Sequence, residues 1–277
     1  MNWELWSESC DDRFKFAFIK QNLKQKRIGC GHRMIRTTEM NKVTEFQQNG
    51  FITLENIYTK EEINQILALI ESVESDKPTF RKSADVFAIR QFIKELPEIK
   101  DLIFNEKLKA TIKEFGGNEY FVIKSIYFDK PETSNWFVSY HQDLTISVDK
   151  KQEIKNFTSW TTKHNQSAVQ PPLDILQNIF TIRIHLDKTD ENNGALKVIP
   201  ASHRKGFYRP ENINWDEENE TVCNVEQGGV MLMKPLLLHS SSRTTNNKRR
   251  RVVHIEFSDI DLPENLNWAE KELVELG

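Results

Sequence analysis

The chain has 277 residues, a formal charge of −3, 38% hydrophobic and 29% charged residues, which fits one large domain with a sizeable core. No run approaches the ~18 consecutive apolar residues of a membrane helix, and the amino terminus lacks the apolar stretch of a secretory signal, so no membrane partner is expected. The negative balance argues against nucleic acid, which calls for a basic surface, and the scattered Cys10, Cys30 and Cys223 form neither a disulfide framework nor a C-x-x-C pair, which suits a reducing cytoplasmic setting.

Residues 1–39 read as an extension, separate from a domain at 40–277. They hold eight basic and five acidic residues, and no pattern persists around Phe14, Phe16 and Phe18. The extension is expected to be disordered, with a basic arm for a partner as the alternative; Met34 and Met40 are each a candidate start.

From Met40 the pattern becomes orderly. Gly50-Phe51-Ile52-Thr53-Leu54 predicts a short strand. Thr59-Lys60-Glu61-Glu62 is a capping box, in which the threonine hydroxyl and the Glu62 side chain satisfy free amides at a helix start. Ile63, Ile66, Leu67, Ile70 and Val73 follow at helical spacing. A second helix is expected over Glu106–Phe115, stopped by Gly116-Gly117. Strand texture then takes over, with candidates at Tyr120–Phe128, Asn178–Leu186, Ala195–Ile199, Val230–Leu238 and Arg251–Phe257. A last helix is expected over Glu264–Leu276. Many short strands without helices between them predict an α+β chain with a sandwich or jelly-roll core and flanking helices packed on it.

Two of the seven histidines stand in informative places. His141-Gln142-Asp143 sets an imidazole and a carboxylate two residues apart, on one face if the segment is a strand. His239 follows the apolar run Val230–Leu238 and is expected to return to the same mouth. Two histidines and one carboxylate leave open positions on a non-haem iron(II), although zinc accepts the same donors. Alone, H-x-D arises often by chance and marks ordinary hydrogen bonding. Downstream, Lys248-Arg249-Arg250-Arg251 offers guanidiniums for bidentate binding of a carboxylate, or simply a solvated strand entry. His185, His203 and His254 read as structural.

With these residues in view, the chain resembles the phytanoyl-CoA dioxygenase family of iron(II)/2-oxoglutarate oxygenases, over about Thr44 to Asp259. The resemblance rests on Gly50-Phe51-Ile52 with the helix after it, on His141-Gln142-Asp143-Leu144, on Asn193-Gly194-Ala195-Leu196 through Pro200-Ala201-Ser202-His203, and on His239-Ser240-Ser241 with Arg250-Arg251. Ala201 departs from the glycine usual there. The resemblance implies a double-stranded β-helix of the jelly-roll, cupin-like kind. It implies iron(II) held by His141, Asp143 and His239, and 2-oxoglutarate clamped by Arg250, with Arg251 as the competitor on the opposite face. Ser241 would add a hydrogen bond, and Arg183 is a further candidate for cosubstrate or substrate; Lys124 and Trp160 follow as weaker ones.

The activity so implied consumes O2 and 2-oxoglutarate, with ascorbate as a supportive reductant, and hydroxylates an unactivated C–H bond of a small-molecule or acyl substrate, releasing succinate and CO2. The segment Leu144–Pro172 is expected to form a lid that sets specificity. The rival readings are a non-catalytic small-molecule-binding module on the same jelly roll and a zinc hydrolase.

Overall fold

The computed structural model describes residues 41–73, 77–82, 87–132, 134, 136–163 and 166–276. The expected extension at 1–39 and His164 lie outside these residues.

In chain order the elements are α1 (Lys42–Asn49), β1 (Phe51–Leu54), α2 (Lys60–Glu71), β2 (Phe80–Lys82), β3 (Phe87–Arg90), α3 (Phe92–Glu95), α4 (Lys100–Ile103) and α5 (Glu106–Phe115). There follow β4 (Phe121–Lys130), β5 (Val138–His141), β6 (Ile146–Val148), β7 (Thr158–Lys163), β8 (Gln166–Gln170), α6 (Leu173–Asn178), β9 (Phe180–His185) and β10 (Leu196–Val198). The last are β11 (Thr221–Cys223), β12 (Val230–Met233), β13 (His239–Ser241), β14 (Arg250–Ser258) and β15 (Glu272–Leu273).

Local chemistry accounts for the helix starts. The Thr59 hydroxyl accepts from the Glu62 amide at 3.2 Å and the Glu62 carboxylate accepts from the Thr59 amide at 2.7 Å, which completes the expected capping box of α2. Asn105 caps α5 in the same way, at 2.9 Å from the Leu108 amide. The apolar stripes of α2 and α5, Ile63, Ile66 and Ile70 with Leu108 and Ile112, are buried in one cluster with Phe180, Ile182, Ile184, Val253, Ile255 and Phe257 of the sheet. Each such side chain contributes roughly 1.5–3 kcal/mol on burial.

That sheet has the order β1-β12-β9-β14-β4-β3-β2, with β15 also on β4. A four-stranded sheet, β11-β10-β13-β5, faces it; Met231 and Met233 of the large sheet pack with Leu196, Val198 and Cys223 of the small one. Two facing antiparallel sheets are the jelly roll expected from strand texture. Strand alternation gives the large sheet two unlike faces: even positions of β14 (Arg250, Val252, His254, Glu256) point between the sheets, while Val253, Ile255 and Phe257 meet the helices.

Two expectations need correction, and a third gains detail. Residues 264–276 form no helix: Glu264 and Asn265 take left-handed backbone, φ 56° and 58°. Beyond them Trp268 bridges to Val148 and the Glu270 carboxylate accepts from the Ser125 hydroxyl at 2.5 Å. Long-range contacts override the helical pattern there. The apolar run 230–238 is not one strand; β12 ends at Met233 because the chain turns through Lys234-Pro235, where proline has no amide to donate and the Leu237 amide bonds back to the Lys234 carbonyl at 3.0 Å. The expected lid at 144–172 is in part a small sheet of its own, β6-β8-β7. Among the described residues, no helix is long and apolar enough to cross a membrane.

Candidate metal centre

The two informative histidines meet across the small sheet. β13 pairs with β5 so that His239 lies opposite His141, with ring centroids 4.2 Å apart. Asp143 joins them from a loop rather than from the expected strand face, because β5 stops at His141. The residue between them is what turns the chain. Gln142 donates to the Leu236 and Gly206 carbonyls and accepts from the Tyr208 amide, while the Asp143 amide donates to the Pro235 carbonyl at 2.9 Å. The turn that ends β12 therefore positions both His239 and Asp143.

Donor chemistry fits a metal. Nδ1 of His141 is 2.9 Å from the Ser139 carbonyl, and Nδ1 of His239 is 2.9 Å from the Leu237 carbonyl. A carbonyl only accepts, so each ring holds its proton on Nδ1 and presents the Nε2 lone pair. Both Nε2 atoms lie 3.8 Å from the Asp143 carboxylate, one from each oxygen, and the three donors fall within 4.8 Å of one another. Burial, with His141 beside it, pushes His239 down to about 3, which keeps its ring neutral. Burial raises the Asp143 carboxyl, but His239, His141, Lys124 and His254 outweigh it and hold the group well below the usual carboxylate range.

Beside this centre, Arg250 and Ser241 converge on one backbone oxygen. Arg250 Nη1 donates to the Gly194 carbonyl, and the Ser241 hydroxyl donates to the same oxygen at 2.9 Å. Gly194 has φ +87°, and a Cβ there would stand 2.8 Å from the Ser242 carbonyl and 3.1 Å from Lys130 Nζ, so only glycine fits the crowded turn. Arg250 Nε is buried without a partner; burial and Arg183 pull the guanidinium down to about 9, and it stays cationic at neutral pH. Arg251 points to the other face, where Asp187 accepts from its Nε at 2.9 Å and from its Nη2 at 2.8 Å.

Arg183 lies on the inward face of β9, with Nη1 3.1 Å from His254 Nδ1, and Lys124 reaches Glu256 at 2.8 Å. Neither His254 nor Glu256 was singled out from sequence for this site, though the alternation of polar side chains along β14 was the signal. Trp160, on β7, is stacked on Phe157 with centroids 6.5 Å apart. His185 bonds the Thr189 hydroxyl at 2.8 Å, and His203 bonds the Gln47 carbonyl at 3.2 Å, as structural histidines do.

The phytanoyl-CoA dioxygenase family model matches residues 46–252. The chain belongs to that family. Within it, the chain is 22% identical over 173 residues to an ectoine dioxygenase of Bordetella bronchiseptica, covering 60% of this chain and 49% of the relative. It is 24% identical over 199 residues to a probable alpha-ketoglutarate-dependent hypophosphite dioxygenase of Stutzerimonas stutzeri, 62% and 60% of the two chains. The matches thus span about half to three-fifths of these relatives. Among solved structures, EctD from S. alaskensis superposes with a TM-score of 0.60 at 18% identity, over 78% of this chain and 75% of that one; the same protein is also known with 2-oxoglutarate and 5-hydroxyectoine. At these identities the structural likeness establishes the double-stranded β-helix.

Proposed function

We propose that this family member is an iron(II)- and 2-oxoglutarate-dependent dioxygenase that hydroxylates an unactivated C–H bond of a small-molecule or acyl substrate, releasing succinate and CO2. The observation that carries the reading is the convergence of two Nε2 lone pairs and one carboxylate beside a half-buried, incompletely partnered guanidinium. His141 and His239 would hold the metal through Nε2 and Asp143 through a carboxylate oxygen; Arg250 would take the distal carboxylate of 2-oxoglutarate, with Ser241 as a second donor. Bound iron(II) supplies the oxygen chemistry that the side chains lack.

The chain's own contribution is orientation and exclusion of water. The carbonyls of Ser139 and Leu237 fix both imidazole tautomers before any ion arrives, and Gln142 holds the loop that carries Asp143. Arg250 is cationic at neutral pH and half-buried, where a bidentate carboxylate contact is stronger than in open water. We assign the activity to residues 40–277, with 1–39 as an extension, and place it in the cytoplasm, a setting supported by the free, buried Cys223.

The decisive test is succinate formation from 2-oxoglutarate by purified protein with iron(II), ascorbate and oxygen, with His141→Ala run alongside. Iron-dependent turnover is expected, falling more than about 100-fold in the variant, since loss of even an outer-shell partner of a metal ligand costs 10–100-fold. No turnover together with no iron-dependent binding of 2-oxoglutarate would make the chain a small-molecule-binding module instead.

A further inference from the structure

Two guanidiniums lie on the inward face of the large sheet, Arg183 buried and Arg250 half-buried, and the cosubstrate accounts for the second. Arg183, in the middle of β9, is opposite His254 of β14 on one side and Met231 of β12 on the other. A guanidinium only donates, so the 3.1 Å contact of Nη1 with His254 Nδ1 makes that nitrogen an acceptor and leaves the ring proton on Nε2. Nε2 in turn donates to Glu256 Oε1 at 3.0 Å, and Lys124 Nζ donates to the same oxygen at 2.8 Å. The result is a row, Lys124–Glu256–His254–Arg183, running across β4, β14 and β9.

The charges in this row do not cancel. Lys124 and Glu256 neutralise one another, and His254 is neutral, its protonated form disfavoured first by burial. Arg183 therefore keeps a full positive charge and has no carboxylate partner among the described residues, and its Nε is buried without any partner. Burying an unpaired cation is costly, and Arg250 adds repulsion. Arg183 also lies close enough to the metal centre for Asp143 to favour its charge and for its field to act on His239. An anion that arrives during function would relieve the imbalance; of the two carboxylates of 2-oxoglutarate, Arg250 would take the distal one and the metal would take the one beside the keto group.

We propose that Arg183 is the receptor for an oxoanion of the substrate, aimed by the Lys124–Glu256–His254 row, so that the substrate is a free carboxylic acid or a like oxoacid. An acyl thioester carries no anion at its reacting end and would leave Arg183 unmatched. The assignment rests on the cosubstrate reading of Arg250, and the two fail separately.

The test uses iron(II)-loaded protein without oxygen, in which the visible charge-transfer absorption of the iron and 2-oxoglutarate is titrated for wild type, Arg183→Gln, Arg183→Lys and Arg250→Gln. Each is then titrated with short-chain carboxylic acids, their primary amides and alkylphosphonic acids, following both the band and the melting temperature. Arg250→Gln should weaken 2-oxoglutarate about 30-fold or more, the loss expected when one partner of a buried charge pair is removed, whereas Arg183→Gln should leave its affinity within about threefold. At least one acid should shift the band and raise the wild-type melting temperature while its amide does neither. Arg183→Gln should weaken that acid about 30-fold or more, and Arg183→Lys should restore part of it. A phosphonic acid acting in place of every carboxylic acid would keep the site and change the class of head group.

Equal binding of acid and amide would overturn the proposal, as would silence of all acids with wild type. So would a loss of 2-oxoglutarate affinity in Arg183→Gln as large as in Arg250→Gln. The acid–amide contrast needs no variant, so a misfolded Arg183→Gln would not remove the test. Absence of the band from wild type would bring down the cosubstrate reading first, and this assignment with it.

Discussion

The two faces of β14 do opposite jobs with the same nine residues. Outward, Val253, Ile255 and Phe257 are buried against the helices, and Arg251 closes that face with a two-point contact to Asp187. Inward, His254 and Glu256 are buried and Arg250 half-buried, and the Arg250 Nε there has no partner. One face supplies stability; the other spends some of it to hold charge where ligands arrive. Adjacent arginines thus differ more in consequence than arginine differs from valine on the same face.

Breaking this contrast at its centre should act on cosubstrate affinity first. Arg250→Ala should raise the 2-oxoglutarate concentration needed for half-maximal succinate formation about 30-fold or more. Arg251→Ala should leave that concentration unchanged and instead lower the stability measured by urea unfolding by about 2 kcal/mol, for lost charged hydrogen bonds. The reverse result would exchange their roles. On the outward face alone, Ile255→Ala should cost about 2–5 kcal/mol of stability with no change in cosubstrate affinity of the folded protein, read by denaturation and by the charge-transfer titration.

Much of this was legible because it is local or periodic. The Thr59–Glu62 box and the Asn105 cap depend on four neighbouring residues, and β4, β9 and β14 announce themselves by alternation. The site residues were visible as motifs, but the reason they meet was not. Asp143 reaches the metal centre through contacts to Pro235, Leu236 and Gly206, all more than sixty residues away, and no spacing rule encodes them. The segment 264–276 misled for the same reason: its helical pattern is overruled by Trp268 and Glu270 reaching distant strands. Helix α1 has Phe46 as its one buried side chain, too sparse a stripe to announce a helix in sequence.

Glu270 offers a smaller way to sharpen the contrast, since it is a buried acid on the stabilising side. Burial pushes its carboxyl up to about 7, against hydrogen bonds from Ser125. The folded chain then holds this proton at pH values where the unfolded chain has lost it, so stability is highest below the ordinary carboxylate range, falls as pH rises toward 7, and levels off beyond. Glu270→Gln should remove that slope and gain on wild type by up to about 3 kcal/mol near pH 8, measured as denaturant midpoint against pH. The smallest effect is expected at Ala201, which sits at φ 63° and ψ 0°. Ala201→Gly should relieve left-handed strain and stabilise by about 1 kcal/mol, visible as a small rise in melting temperature.

Strand β1 has a role beyond closing the large sheet. It pairs Phe51–Leu54 with Met233–Val230 and is seated by Gly50, whose missing Cβ makes room for the His203 ring. Remove it, and Val230-Met231-Leu232-Met233 becomes a bare, wholly apolar edge with free amides and carbonyls, the kind that recruits another chain. A chain shortened to begin at Glu55 would retain every metal donor, yet its first failure would be self-association: the short strand is a guard on solubility, placed far in sequence from what it protects.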